Sequence, residues 1–177
     1  MDQKIQSYCR SKGFHPQTEA RWLGLNDVDR AALLELVWEV KAGENHLKDL
    51  LDWLEEISLR DGIEIAALLR NLAPVVDDPR LGRNDKLKRL KEELRRLRFP
   101  RLARIEDEIQ QRIRALKLAP GISLSVPQGL EGGSVSLTVY ATSYADMRRL
   151  SAELERAVDS EKLKEIFALI DGGAAEA

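Results

Sequence analysis

Apolar residues recur at three- and four-residue intervals along most of the chain, which is the spacing of one face of an α-helix. In the first half of the sequence these stripes predict three helices, over residues 26–43, 44–60 and 63–72. Asn26 or Asp27 can cap the first of them, because a short polar side chain accepts a hydrogen bond from the first turn. Pro74 should stop the third. The segment 26–83 is therefore predicted to be a small helical bundle.

A fourth helix is predicted after Asn84 or Asp85, with leucines in a 3-4-3 spacing that resembles a short coiled-coil stripe. These leucines are Leu87, Leu90, Leu94 and Leu97. Phe99-Pro100 should break this helix, and proline in a first turn favours the start of another. That next helix carries a second stripe, made of Leu102, Ile105, Ile109, Ile113 and Leu116. We group the two helices as the segment 84–118.

Beyond Pro120-Gly121 the apolar period changes from about 3.6 to 2, which is typical of strands. Residues 122–126 and 135–141 alternate apolar with polar side chains and predict a long-looped β-hairpin with one buried face. Two helices follow, the first capped by Ser143 and the second by Ser160. The hairpin and these helices form the predicted segment 119–171.

The predicted fold class is α+β and mostly α: an N-terminal helical bundle, a basic helix, and then a helix-ββ-α-α module. Residues 1–25 have no sustained period and are expected to form a loose N-terminal arm. Residues 172–177 are expected to form a disordered tail. Trp22, Trp38 and Trp53 are expected to pack in the core or between helices.

A formal net charge of −2 conceals a strong segregation of charge along the chain. Residues 19–78 carry fourteen acids and six bases, whereas residues 80–104 carry eleven bases and three acids. Such an asymmetry indicates either an acidic partner or a match between the two halves of the same chain.

Candidate chemistry is sparse, so the sequence predicts a binding protein and no enzyme. His15 precedes a proline in the predicted arm. His46 lies in the first turn of a predicted helix near Glu44 and Asp49, where a solvated helix start is favoured over a metal site. The glycines at 129, 132 and 133 lie between two strands, which fits a hairpin turn better than a phosphate-binding loop. A single cysteine, Cys9, fits a reducing compartment. We expect no cofactor, no metal and no membrane segment, and residence in the cytoplasm.

The basic helix is the strongest functional candidate, because it can bury leucines and present cations at the same time. Lysine and arginine neutralise phosphates and release counterions, so the cluster predicts nucleic-acid binding. The predicted set is Arg83, Lys86, Lys88, Arg89, Lys91, Arg95, Arg96, Arg98 and Arg101. Three alternatives remain open: a solvated face, docking onto the acidic N-terminal bundle, and an adaptor role on an acidic partner protein.

The C-terminal section resembles the C-terminal dimerisation domain of ParB-type chromosome partition proteins. The resemblance lies in a helix, two strands with an aromatic residue ending the second, and a capped leucine-rich helix. The matching runs are R-I-E-D-E-I at 104–109, G-I-S-L at 121–124, G-G-S-V-S-L-T-V-Y at 132–140 and S-Y-A-D-M-R-R-L at 143–150. A further run, G-I-E-I-A-A-L-L-R-N-L-A-P at 62–74, is similar to the second helix of the family's helix-turn-helix region.

The resemblance implies a homodimer associated with nucleic acid, with DNA preferred over RNA. The residues that it assigns to packing or to the dimer are Ile105, Ile109, Ile113, Val135, Val139, Leu150 and Leu154. The family's nucleotide-binding half, with its arginine-rich and acidic boxes, has no counterpart in this sequence. No CTP-dependent switch is therefore expected.

Overall fold

The computed structural model describes residues 1–174, the side chains of residues 131, 173 and 174 excepted. The chain forms two compact units, one over Met1–Arg98 and a second that begins at Phe99. The fold is α+β and mostly α, as predicted, with nine α-helices and one two-stranded antiparallel sheet in the described residues. Within the same part of the chain, no helix has both the length and the apolar character needed to cross a membrane.

The first unit is helical, and its elements in chain order are α1 (Asp2–Lys12), α2 (Pro16–Leu23), α3 (Asp27–Val40), α4 (Glu44–Asp61), α5 (Ile65–Val76) and α6 (Arg83–Arg98). One apolar core receives side chains from all of them. Local signals place the helix ends as predicted: the Asn26 side chain accepts a hydrogen bond from the N–H of Asp29 at 2.9 Å. Gly62 ends α4 with a φ of 66°, a left-handed conformation that glycine adopts at little cost.

The expected loose arm over residues 1–25 is wrong, because α1 and α2 are integral to the core. Ile5 and Trp22 are fully buried. The Tyr8 hydroxyl donates to the carbonyl oxygen of Ala42 at 2.9 Å and so ties α1 to the end of α3. Each helix buries only two or three side chains, which is too short a pattern to stand out from the surrounding polar residues.

Two predicted boundaries also differ from the structure. Helix α5 continues past Pro74 to Val76. Arg70 and Pro74 are both exposed, so water can hydrate the carbonyl that loses its partner to the proline. The predicted segment 84–118 is divided, since α6 buries its leucines in the core of the first unit while the following helix belongs to the second.

The second unit contains, in order, α7 (Pro100–Leu116), β1 (Ile122–Ser125), a short 3-10 helix (Gln128–Gly133), β2 (Ser136–Val139), α8 (Tyr144–Val158) and α9 (Glu161–Ala174). The break at Phe99-Pro100 is confirmed, with proline in the first turn of α7. Ser143 caps α8 by accepting from the N–H of Asp146 at 3.0 Å. The core of this unit lies between α7, α9, β1 and the 3-10 helix, around Ile109, Leu130 and Ile166.

The hairpin has less buried surface than the alternating pattern predicts. Ile122 pairs with Val139 and Leu124 pairs with Leu137 across the two antiparallel strands. The two β1 residues are buried, but Leu137 is 36% exposed and Val139 only half-buried. The predicted single buried face is therefore correct for β1 and wrong for much of β2. The expected tail is also partly wrong, because α9 extends over residues 172–174, while residues 175–177 lie outside the described part.

Candidate nucleic-acid interface

Helix α6 is held in the first unit by its leucines and by its carboxyl end. Leu90 and Leu94 are fully buried, and Leu87 is nearly so. At the end of the helix the Arg60 guanidinium donates to the carbonyl oxygens of Leu97 at 2.8 Å and Arg98 at 2.6 Å. The last carbonyls of a helix have no partner within it, so a cation from α4 satisfies them here. The basic helix is thus a core element of the first unit.

Three of the predicted nucleic-acid-binding cations form ion pairs with acidic residues of α3 and α4. The pairs are Lys86 with Glu39 at 2.7 Å, Lys91 with Asp49 at 2.5 Å, and Arg98 with Glu56 at 2.7 Å. The hydrogen bond from Lys86 lowers the pKa of Glu39. Lys91 Nζ also lies 5.7 Å from the centroid of the Trp53 ring, within cation–π distance. These three side chains therefore dock onto acidic residues of the N-terminal bundle, which was one of the alternatives left open by the sequence.

The remaining predicted cations divide by exposure. Arg95 pairs with Glu92 at 3.0 Å and is half-buried, as is Arg96. Arg101 is exposed but belongs to α7 and so to the second unit. Three more, Arg83, Lys88 and Arg89, are exposed, and no ion pair joins them to any described residue.

These three cations lie among other charges at the start of α6. Arg80 binds Asp78 through its guanidinium at 2.8 Å, and this contact lowers the pKa of the carboxyl group. Arg89 is close enough to lower the pKa of Asp78 further. The exposed Asp85 also lies in the first turn of α6. The accessible positive charge is consequently smaller than a count along the sequence indicates, and it is concentrated near the amino end of the helix.

The residues that the ParB resemblance assigns to packing or to a dimer are mostly internal to the second unit. Ile109 and Leu150 are buried. Ile105, Ile113 and Val135 are half-buried against the core around Ile109. The two others, Val139 on β2 and Leu154 on α8, are half-buried.

Helix α8 has an apolar stripe that the second unit covers only in part. The stripe consists of Met147, Leu150, Leu154 and Val158, which share one face of the helix. Leu150 is fully buried, but Met147 is 45% and Val158 48% exposed. The sequence assigns Leu150 and Leu154 to packing or to a dimer, because a periodic pattern does not distinguish a face covered by the same chain from one that is open.

The aromatic side chains give a similar correction. Trp22 is fully buried and Trp53 half-buried, as predicted, but Trp38 is 61% exposed. The centroid of its ring lies 5.8 Å from that of the Tyr8 ring in α1, and this contact leaves most of the side chain exposed.

The described residues contain no group of three or more histidine, cysteine or acidic side chains arranged to hold a metal ion. Comparison of the chain with family models, with curated proteins and with solved structures gave no match.

Proposed function

We propose that the protein is a binding protein that associates with nucleic acid in the cytoplasm and does so as a homodimer. The observation that carries the nucleic-acid part is the exposed group Arg83, Lys88 and Arg89, whose charges are not used in ion pairs with described residues. Exposed cations that form no ion pair within the protein can neutralise phosphates without first breaking an intramolecular ion pair. The cations paired with α3 and α4 are excluded from the proposed contact surface.

Three phosphate contacts in one chain correspond to a modest affinity and a salt slope of about −3, since each neutralised phosphate contributes roughly −0.9. Two chains would double both the contacts and the slope. Self-association is therefore part of the proposal, and the ParB resemblance implies it independently.

The observation that supports self-association is the open surface of the second unit. Among the described residues, β1 is the one strand that pairs with β2, so the other edge of β2 is unpaired there. An edge strand readily pairs with another chain. Beside it in sequence, Tyr140 and Tyr144 are 69% and 80% exposed, and the α8 stripe is half open. A surface of this kind, with aromatic and aliphatic groups beside an open edge, is typical of protein interfaces.

The nucleic-acid part is tested by fluorescence anisotropy with a labelled random-sequence duplex DNA and, in parallel, single-stranded RNA of equal length. Changing Arg83, Lys88 and Arg89 together to glutamine should weaken binding at least about tenfold and reduce the magnitude of the salt slope by about 3 per chain. The matched control changes Lys4, Arg10 and Lys12, which are exposed cations of α1, to glutamine and removes the same charge. Equal affinity in the two triple variants, or no binding at low ionic strength, would contradict the proposal.

The alternative, an adaptor that docks these cations on an acidic protein, predicts a different result in the same preparation. A stoichiometric protein partner would then be retained after nuclease treatment, and no DNA or RNA would bind at low ionic strength.

Self-association is tested by light scattering across a range of protein concentrations. The double variant Met147→Glu with Val158→Glu should convert a dimer to a monomer, because it places charges in the open stripe. Ala152→Glu introduces a charge on the exposed opposite face of α8 and should leave the dimer unchanged. A wild-type protein that remains monomeric at high concentration would remove self-association from the proposal.

A further inference from the structure

A groove of about 350 Å³ runs between α3 and α5 in the first unit. Both helices begin beside each other, where Asp29 accepts a hydrogen bond from the N–H of Ala66 at 2.7 Å. Beyond this contact the groove is lined by residues between 32 and 39 of α3, by residues between 66 and 76 of α5, and by Asp77 at the C-cap of α5. Its volume is within the range of natural ligand sites, at the small end.

The lining residues lie on one face of each helix. On α3 they are Ala32, Glu35, Leu36 and Glu39; on α5 they are Ala66, Leu69, Arg70, Leu72, Ala73 and Val76, with Asp77 at the C-cap of α5. These spacings of three, four and seven residues are those with which helices pack against one another. Small alanine side chains leave the space, and the buried Leu36, Leu69 and Leu72 form an apolar floor. The groove therefore has the shape of a site for one more helix.

The charges at the rim of the groove select the sign of its occupant. Glu35 and Asp77 are exposed and form no ion pair with a described residue. Glu39 is bound by Lys86, and Arg70, which is also exposed and forms no ion pair with a described residue, is the one cation among the lining residues. The unpaired charges at the rim therefore sum to −1, and this negative surplus beside an apolar floor complements a helix with apolar residues on one face and lysine or arginine along its edges.

We propose that this groove binds a basic amphipathic helix of a partner protein. The lined part of α5 spans about 17 Å at 1.5 Å per residue, so it accommodates about three turns of a bound helix. Two or three aliphatic side chains of the partner, spaced by three or four residues, lie on the leucine floor. Basic side chains at either edge pair with Glu35 and Asp77. Neither α8 nor the exposed cations of α6 take part, so this proposal is independent of the proposed function.

The probe is a fluorescein-labelled synthetic helix of about four turns, with leucines at every third or fourth position and lysines at the flanking ones. Its comparison peptide carries glutamates in place of the lysines. Titration of the intact protein should show saturable binding of the lysine peptide and at least about tenfold weaker binding of the glutamate peptide, a difference of about 1.4 kcal/mol.

Two groove variants test the location. Ala73→Leu fills the groove without changing charge, and Glu35→Lys reverses a rim charge; each should weaken binding of the lysine peptide at least about tenfold. Glu93→Lys makes the same charge change at an exposed position of α6 and should have little effect. Circular dichroism of each variant shows whether its helices remain intact.

The proposal is wrong if the lysine peptide fails to bind, if the glutamate peptide binds equally well, or if both folded groove variants bind the lysine peptide like the wild type. It is also wrong if Glu35→Lys alters the mass of the protein in light scattering, because the groove would then be occupied by a second copy of the chain.

Discussion

The carboxylate of Asp29 in α3 accepts a hydrogen bond from the backbone N–H of Ala66, 2.7 Å away in the first turn of α5. Helix α5 has no capping side chain of its own, since Glu64 at its N-cap makes no such bond. The other Asp29 oxygen accepts from the Asn26 amide at 2.8 Å, and only 6% of the residue is exposed. One buried carboxylate thus satisfies an orphan N–H of α5 and holds the two helices side by side.

We predict that Asp29→Ala lowers the free energy of unfolding by roughly 1–2 kcal/mol, because it removes a cap and leaves the N–H of Ala66 buried without a partner. Asp29→Asn keeps an oxygen that can accept the same bond and should cost less. Urea denaturation of both variants measures the difference. Equal stability of Asp29→Ala and the wild type would show that the bond contributes nothing.

Gly121 is predicted to be indispensable to the second unit. Its φ is +97°, and an added Cβ would lie 2.8 Å from the Tyr140 carbonyl oxygen and 3.2 Å from Leu150 Cδ1. Gly121→Ala should therefore destabilise the protein by roughly 1–3 kcal/mol, since alanine resists this backbone conformation and also collides with the Tyr140 carbonyl oxygen directly after β2. Gly172→Ala is the control, because a Cβ added to Gly172 in α9 would meet no described atom within 4 Å beyond its chain neighbours and the backbone of its own helix. In thermal unfolding, Gly121→Ala should have a lower melting temperature than the wild type, and Gly172→Ala should not.

Because of Glu44, the free energy of unfolding should decrease as the pH falls below about 4.5. Hydrogen bonds from the Thr18 hydroxyl at 2.6 Å, the His15 N–H and Lys48 lower the pKa of Glu44 to about 2 from its ordinary 4.5. The folded state thus favours the carboxylate, and this stabilisation is present above pH 4.5 and is lost as the pH falls toward 2. Glu44→Gln should be less stable than the wild type at neutral pH, with the difference shrinking on acidification.

The matched control for this measurement is Glu35→Gln, which changes an exposed carboxylate without an ion pair to a described residue. In denaturant unfolding at several pH values, the stability difference between Glu35→Gln and the wild type should not shrink comparably as the pH falls. A constant difference between Glu44→Gln and the wild type down to about pH 2 would contradict the assigned cause.

Cys9 is predicted to be unreactive in the folded protein. The thiol is 1% exposed, and its burial, with a smaller contribution from Glu19 and Glu44, raises its pKa to about 11. The thiolate is the reactive form, and a pKa of about 11 in place of the ordinary 9 reduces the thiolate population about a hundredfold at neutral pH. Burial also slows the access of the reagent. A thiol reagent at neutral pH should label the native protein slowly and the urea-unfolded protein at the rate of a free thiol. Rapid labelling of the native state would show that α1 detaches from the core.

The helix limits of the middle of the chain could be read from short-range signals. Asn26 and Ser143 cap helices as predicted, and Phe99-Pro100 separates α6 from α7. Each of these signals acts within one turn, where the hydrogen bonds of a helix end are satisfied by near neighbours in sequence. The burial of Leu87, Leu90 and Leu94 in α6 agrees with their helical spacing, whereas Leu97, the last leucine of the same stripe, is 38% exposed.

Features that depend on contacts between distant parts of the chain could not be predicted from such short-range signals. Helices α1 and α2 are stabilised by burial of Ile5 and Trp22 among distant residues, so no local pattern reports them. The exposure of Trp38 and of the α8 stripe has the same origin, because a side chain's spacing does not state whether the fold supplies a neighbour to cover it.

For the basic helix α6, some properties are determined by the sequence and others only by the tertiary structure. Its position, its leucine face and its surplus of lysine and arginine are all present in the order of its residues. Which of those cations remain accessible is decided by the packing of α3 and α4 against it. The pair between Lys91 and Asp49 joins residues 42 positions apart, and an ion pair forms only when the folded chain brings its two charges within a few ångströms. Tertiary structure thus leaves Arg83, Lys88 and Arg89 exposed and engages Lys86, Lys91 and Arg98 with the protein's own acids.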